Sequence, residues 1–139
     1  MRRPIVFAIL LMLFSACGGV DVAEVGDEAL KVLSLSPRAD ETGVAQNTEV
    51  VVVFSDQVST GDGEDNVNSD TFYLEEVGGG VVTGVTLTPS SLDADSTIVL
   101  SGLSLDSGTA YEIVVRASVT GNNTEAIGVE VRSAFRTVD

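Results

Sequence analysis

Four carboxylates lie close together near the middle of the chain and could bind a divalent cation. The stretch GDGEDNVNSD, residues 61–70, contains Asp62, Glu64, Asp65 and Asp70 together with two asparagines. Carboxylate and amide oxygens are the ligands that Ca²⁺ requires, so these four acids are candidate ligands. Their spacing differs from an EF-hand, in which glycine holds the sixth position of an Asp-x-Asp/Asn-x-Asp/Asn-Gly motif. A solvated turn between two strands explains the same composition without a metal.

The residue inventory restricts catalysis. The chain has no histidine, which excludes Ser-His-Asp and Cys-His mechanisms and His-ligated zinc sites. Paired carboxylates of the glycosidase kind remain chemically available among its 21 Asp and Glu residues, although no pair is marked out by its setting. We therefore predict that the protein is not an enzyme. A carboxylate hydrolase would need a pocket with two facing acids.

The balance of charge restricts the partners. The chain carries 7 Lys and Arg against 21 acids, a formal net charge of −14 over 139 residues. Such a surface repels nucleic-acid phosphates and anionic lipid headgroups, and an aromatic content of 5% leaves few platforms for stacked bases. We expect no nucleic-acid partner. The charge is compatible with cations, with basic partners or with simple solubility.

The single cysteine, Cys17, follows a short apolar leader. Residues 1–16 have two arginines directly after Met1 and continue as an apolar run that is too short to span a membrane but suits a secretory signal. Within the chain Cys17 has no disulfide partner and no histidine to activate it. The residues LFSAC, 13–17, resemble a bacterial lipobox. The resemblance implies a signal peptide over 1–16 and a lipid on Cys17, whereas the alternative is an inert cysteine in an uncleaved leader.

A stretch rich in glycine and acids follows the cysteine. Residues 17–29 comprise Cys17 and the sequence GGVDVAEVGDEA, which predicts a flexible, self-repelling tether. Gly18 rather than aspartate follows the cysteine, and the resemblance to lipoproteins of Gram-negative bacteria then implies the outer membrane. The membrane is thus an expected partner, through the lipid on Cys17.

Residues 30–139 are predicted to form one all-β domain. Short runs rich in valine and threonine alternate with clusters of Gly, Ser, Asp and Asn, which predicts an antiparallel sandwich of about seven strands. The runs are KVLSLS, TEVVVVF, TFYLEEV, VVTGVTLTP, STIVLSG, YEIVVRA and VEVRSAF. The continuous apolar run TEVVVVF, residues 48–54, suits a strand in the middle of a sheet.

Two of these runs predict which side chains face the core. In YEIVVRA, Tyr111, Ile113 and Val115 alternate with Glu112 and Arg116, the pattern of a strand with one buried face. The last run repeats the pattern, and its expected buried residues are Val129, Val131 and Phe135.

The stretch LDSGTAY, residues 105–111, has the spacing of a tyrosine corner. Leu105, Gly108 and Tyr111 would let the phenol at the start of a strand bond back to upstream backbone and fix the crossing between the sheets. An ordinary turn before a strand is the alternative.

Several motifs together resemble the bacterial Ig-like domain of the SbsA type. They are LSPRADETGVAQNTEVVVVFSDQV at 35–58, SGTAY at 107–111 and the closing AFRTVD. The resemblance covers about Lys31 to Val138, and it implies an Ig-like sandwich that acts as a spacer or adhesive module and has no catalytic residues to carry over. Asp40 stands where the family commonly has glycine, and Ala45 where it often has proline.

The sequence therefore predicts a non-catalytic Ig-like module held at the cell envelope by Cys17. Its expected role is structural or adhesive, with an envelope protein or a glycan as partner. The alternative is a Ca²⁺-dependent adhesion or stability module that uses the loop 61–70. No cofactor other than Ca²⁺ is expected.

Overall fold

The computed structural model describes residues 28–89 and 96–139, and within them the chain forms eight β-strands. The predicted signal peptide, Cys17 and most of the predicted tether lie outside the described residues. The described part contains no helix that is long and apolar enough to cross a membrane. The strands are β1 (Val32–Ser36), β2 (Glu41–Val44), β3 (Val50–Phe54), β4 (Phe72–Glu76), β5 (Thr86–Pro89), β6 (Thr97–Ser101), β7 (Ala110–Val115) and β8 (Val131–Thr137).

The strands form two four-stranded sheets that make an Ig-like sandwich, which confirms the predicted fold class. Sheet 1 has the order β1-β3-β6-β5 and sheet 2 the order β2-β8-β7-β4. All pairs are antiparallel except β2 with β8, which is parallel. The sequence did not predict β2. This strand has only four residues, ETGV, and most of them are polar and exposed.

A tight turn brings β2 beside β8. Asp40 has a φ of 61°, a left-handed conformation that a non-glycine residue seldom adopts, and its backbone N–H donates to Ala134 O at 2.7 Å. Glycine, the residue common in the family here, adopts this conformation without steric cost. The departure from the family at this position therefore leaves the turn itself in place.

The central apolar strand is β3, as predicted. It lies between β1 and β6, with Val50, Val52 and Phe54 buried in the core. Val51 and Val53 are half-buried and face outward, because successive side chains of a strand point to opposite faces.

The two runs predicted to have one buried face differ in outcome. Tyr111, Ile113 and Val115 are buried, as is Phe135 on β8. The prediction that Val129 is buried is wrong, since its side chain is 72% exposed and β8 begins only at Val131. The preceding residue, Gly128, has a φ of 75° and turns the chain before strand pairing starts.

The described pairing reaches back into the region predicted as tether. Ala29 forms an isolated parallel bridge with Glu125, and the N–H of Leu30 donates to Glu125 O at 2.9 Å. Leu30 is 1% exposed and belongs to the core. Residues 28–30 are therefore packed against the segment between β7 and β8.

Candidate functional site

The acidic loop between β3 and β4 is organised by one asparagine. Asn68 Nδ2 donates to Gly61 O at 2.9 Å and to Gly63 O at 2.8 Å. Its Oδ1 accepts from the N–H groups of Asp70 and Thr71, at 2.9 Å and 3.2 Å. Such an asparagine mimics backbone in a turn, and both ends of this amide are engaged inside the loop.

A buried threonine and a buried valine anchor the same loop. Thr71 Oγ1 donates to Asn66 O at 2.6 Å, and Val67 lies in the core at 1% exposure. The N–H of Val67 also donates to Ser59 O at 2.8 Å. Polar residues of the stretch that suggested a metal site thus also stabilise the conformation of the loop.

Three of the four predicted ligands border one depression. Asp62, Glu64 and Asp70 line a cavity of about 530 Å³ together with Arg116 and Glu130. Their side chains are exposed, and within residues 28–89 and 96–139 no three His, Cys, Asp or Glu side chains are grouped closely enough to hold a metal ion. The carboxylates therefore share a rim without converging.

The fourth predicted ligand contacts a different part of the chain. Asp65 is absent from the lining of this depression, and its backbone oxygen accepts from the N–H of Thr120 at 3.0 Å. Asp65 therefore ties the acidic loop to the connection between β7 and β8 through its backbone.

The predicted tyrosine-corner residues lie together. Tyr111 Oη accepts from the backbone N–H of Asp106 at 2.9 Å, and the Tyr111 ring stacks on Phe135 with centroids 5.9 Å apart. Leu105 is buried, and Gly108 has the positive φ, 58°, that this turn needs. The corner is thus joined to β8 by ring packing.

The outer face of sheet 2 carries a group of charges that the sequence did not single out. Glu75 and Glu112 are directly opposite one another on β4 and β7, an arrangement that is destabilising for like charges. Arg132 on β8 resolves this conflict, because its Nη1 lies 2.6 Å from an oxygen of each. Its Nε also contacts Glu130 at 2.6 Å.

A second arginine completes this charged network, which we define as Glu75, Glu112, Glu130, Arg116 and Arg132. Arg116 contacts Glu130 at 2.8 Å and places its guanidinium 5.4 Å from the centre of the Tyr73 ring. The hydrogen bond from Arg132, followed by the contacts with Arg116, lowers the pKa of Glu130. The carboxylates in turn raise the pKa of Arg132, with Glu75 contributing most.

The outer face of sheet 1 is of the opposite kind. Its outward residues are Val51 and Val53 on β3, Val99 on β6 and, around them, serines and threonines. Leu33, at the bulge in β1, is also uncharged and is 63% exposed. None of the described strand residues that face outward here is charged. We call this surface the uncharged face; it consists of Ser34, Ser36, Val51, Val53, Thr86, Thr88, Thr97, Val99 and Ser101.

The family of the chain follows from its sequence as a whole. The model of a family described as bacterial Ig-like domain matches residues 26–137, and the chain belongs to this family. No curated protein sequence matches it.

Two solved structures share the fold. CopC from Methylosinus trichosporium OB3b is 18% identical, with a TM-score of 0.56, and the match covers 78% of this chain and 93% of CopC. The native conformation of Escherichia coli alpha-2-macroglobulin is 19% identical, also with a TM-score of 0.56; that match covers 80% of this chain and 6% of the larger protein. At this identity the likeness concerns the fold alone.

Proposed function

We propose that the protein is a lipid-anchored, non-catalytic module of the bacterial cell envelope that holds or contacts another envelope component. Its membership of the bacterial Ig-like family supports a structural or adhesive role. The LFSAC sequence supports lipidation of Cys17 after export, and Gly18 favours the outer membrane. The domain then stands off the membrane on its acidic tether.

The observation that carries the interaction role is the uncharged face. A chain with a net charge of −14 repels other acidic envelope components over most of its surface. On the uncharged face, half-buried valines are flanked by short hydroxyl side chains, so a partner can approach without bringing like charges together. An envelope protein or a glycan with neutral hydrogen-bonding groups suits this surface.

The anchoring part of this proposal is tested by replacing the cysteine. Cells that express the full chain are fed a labelled fatty acid and then fractionated. The proposal predicts label on the wild-type chain in the outer-membrane fraction. The Cys17→Ser variant should carry no label and should leave that fraction. Label retained by the variant, or a wild type without label, would refute lipidation at Cys17.

A second proposal is a Ca²⁺-dependent module, and it rests on the shared depression. Asp62, Glu64 and Asp70 line it with Glu130, and a bound cation would have to draw the exposed carboxylates of the loop together. Millimolar Ca²⁺ should then raise the Tm of the Cys17→Ser chain by several degrees through preferential binding to the folded state. Mg²⁺ is the ionic control. A Ca²⁺-specific shift should disappear when Asp62→Asn and Asp70→Asn are combined, whereas no shift would rule this module out.

A further inference from the structure

An apolar groove lies beside β1, between this strand and residues 127–133. Its volume is about 670 Å³, and its walls include Val32 and Leu35 from β1 and Ile127, Val129 and Val131 from the other side. Val129 is 72% exposed. Exposed apolar side chains that are grouped in this way mark interaction sites more often than isolated ones do.

The groove runs along β1, which is an edge strand of sheet 1 in the part of the chain that the structure describes. Within the described residues β1 pairs with only one strand, β3. The bridge between Ala29 and Glu125 joins the two walls at one end, and beyond it β1 and the opposite segment are not paired as strands. An edge strand presents backbone N–H and C=O groups that can pair with an added strand.

The charges that line the groove are all positive. Lys31, Arg38 and Arg132 contribute to the lining, and among residues 28–89 and 96–139 no aspartate or glutamate does, although acids outnumber Lys and Arg by 21 to 7 in the chain. Arg132 is held by the carboxylates of the charged network, so it contributes its apolar stem rather than an available charge.

Lys31 and Arg38 are the two groove cations whose charges are available to a ligand. Lys31 pairs with Glu28 at an exposed position, where an ion pair contributes little and can be exchanged for another. Arg38 has no carboxylate within ion-pair distance in the described part of the chain; Glu41 instead accepts its backbone N–H at 2.8 Å. Lys31 precedes β1 and Arg38 follows it, so the two cations lie toward opposite ends of the groove.

We propose that this groove binds an extended peptide segment of a partner protein, which adds to β1 as a further strand. Its apolar side chains enter the groove, and an acidic residue near each end pairs with Lys31 or Arg38. This inference goes beyond the proposed function, because it assigns a partner with acidic residues to a second surface, which borders the uncharged face at Ser34. It can fail while lipidation of Cys17 stands, since the two are measured separately.

The test uses the Cys17→Ser chain and a synthetic peptide of about eight residues. The peptide has a glutamate at each end, alternating valine and threonine between them, and a fluorophore for anisotropy measurements. The control peptide has lysine at each end. We expect the glutamate peptide to bind at least about tenfold more tightly than the lysine peptide. N-methylation of alternate backbone nitrogens should abolish binding, because it removes the strand hydrogen bonds.

Matched variants locate the site. Arg38→Glu should weaken the glutamate peptide about tenfold and strengthen the lysine peptide, an exchange that misfolding cannot produce. Arg136→Glu, an exposed arginine on sheet 2, is its control. Val129→Asp should abolish binding, whereas Val77→Asp should not, since Val77 is also exposed, at 57%, but lies outside the groove lining.

Three results would overturn the proposal. The first is no binding at about 1 mM peptide, a concentration at which even a complex with a Kd of about 1 mM is half-formed. The second is binding that is unchanged by Arg38→Glu and Val129→Asp. The third is self-association of the chain in sedimentation that Val129→Asp abolishes and Val77→Asp does not, because the occupant would then be a second copy.

Discussion

The two outer faces of the sandwich differ far more than the two inner ones. Both sheets bury aliphatic and aromatic side chains against a common core. Outward, sheet 2 carries the charged network around Arg132, whereas the described outward residues of sheet 1 carry no charge. The acidic character of the chain is therefore unevenly distributed. On sheet 2 the charged side chains pair with one another across neighbouring strands, whereas the outer face of sheet 1 remains suited to contact with a partner.

The length of the neighbouring side chains explains why outward valines are less exposed on sheet 2 than on sheet 1. Val114 on sheet 2 is 0% exposed, in register with Tyr73 and Arg132 on its two neighbouring strands. Long charged side chains cover apolar neighbours with their stems. On sheet 1 the neighbours are serines and threonines, which are too short to do this, and Val51 and Val99 stay half-buried.

The largest expected effect tests whether the inner faces are equivalent. Ile98 on sheet 1 and Ile113 on sheet 2 are both 0% exposed. Replacing either by alanine should lower the free energy of unfolding by about 2–5 kcal/mol, because each leaves a cavity in the same core. Chemical denaturation measures both. A loss below about 1 kcal/mol at one site would show that the two sheets do not share one core.

A smaller loss is expected when the charged network is broken. Arg132→Met keeps the apolar stem but leaves Glu75 opposite Glu112 with Glu130 nearby, so the Tm at pH 7 should fall. Because Arg132 lowers the pKa of Glu130 below its ordinary 4.5, this stabilisation is present above about pH 4.5 and is lost as the pH falls through the lower folded-state pKa.

The control for this variant is Arg136→Met, on the same strand and face. The Tm difference between wild type and Arg132→Met should shrink in acid and in high salt, and Arg136→Met should show neither trend. An equal Tm loss for Arg132→Met at pH 7 and pH 3 would contradict an electrostatic role.

The next effect concerns the tyrosine corner, in which Tyr111 on β7 bonds to the loop that precedes this strand. Tyr111→Phe removes the acceptor of the Asp106 N–H and should cost about 1 kcal/mol. Tyr73→Phe, on the outer face of sheet 2, is the matched control, because its ring lies beside Arg116 and this packing survives the change. Equal losses in denaturant midpoint for the two variants would mean that the Tyr111 hydroxyl contributes nothing specific.

The smallest expected effect on stability lies on the uncharged face. Thr88 is exposed on β5, and Thr88→Glu should change the free energy of unfolding by less than about 0.5 kcal/mol. The same variant should weaken any complex formed by this face, since it introduces a charge there, on the edge strand β5. A stable variant that keeps full partner binding in a pull-down would remove this face from the interaction.

Local patterns in the sequence were sufficient for much of the fold. Alternation and apolar runs predicted the core strands, including the central position of β3, because burial on one or both faces leaves a direct imprint on the chain. The strand β2 leaves no such imprint, since ETGV is exposed and held by pairing with β8. Val129 was misassigned because the turn at Gly128 interrupts an otherwise regular alternation.

The surface features depend on register and could not be read from local patterns. Glu75, Glu112 and Arg132 lie far apart in the sequence and meet only because β4, β7 and β8 are adjacent. The uncharged face likewise combines two or three residues from each of four strands. The acidic loop is the opposite case, because its composition is conspicuous in the sequence. Its Asn68 and Thr71 side chains bond to backbone oxygens inside the loop and so stabilise its conformation.

The most direct test of the account compares the two faces in living cells. A photo-cross-linking amino acid is placed at Thr88 on the uncharged face, or at Ala134 on the outer face of sheet 2, in the full lipid-anchored chain. After irradiation, we expect a cross-linked product with another envelope component from position 88 and none from position 134. Products from position 134 alone, or from neither position, would contradict it.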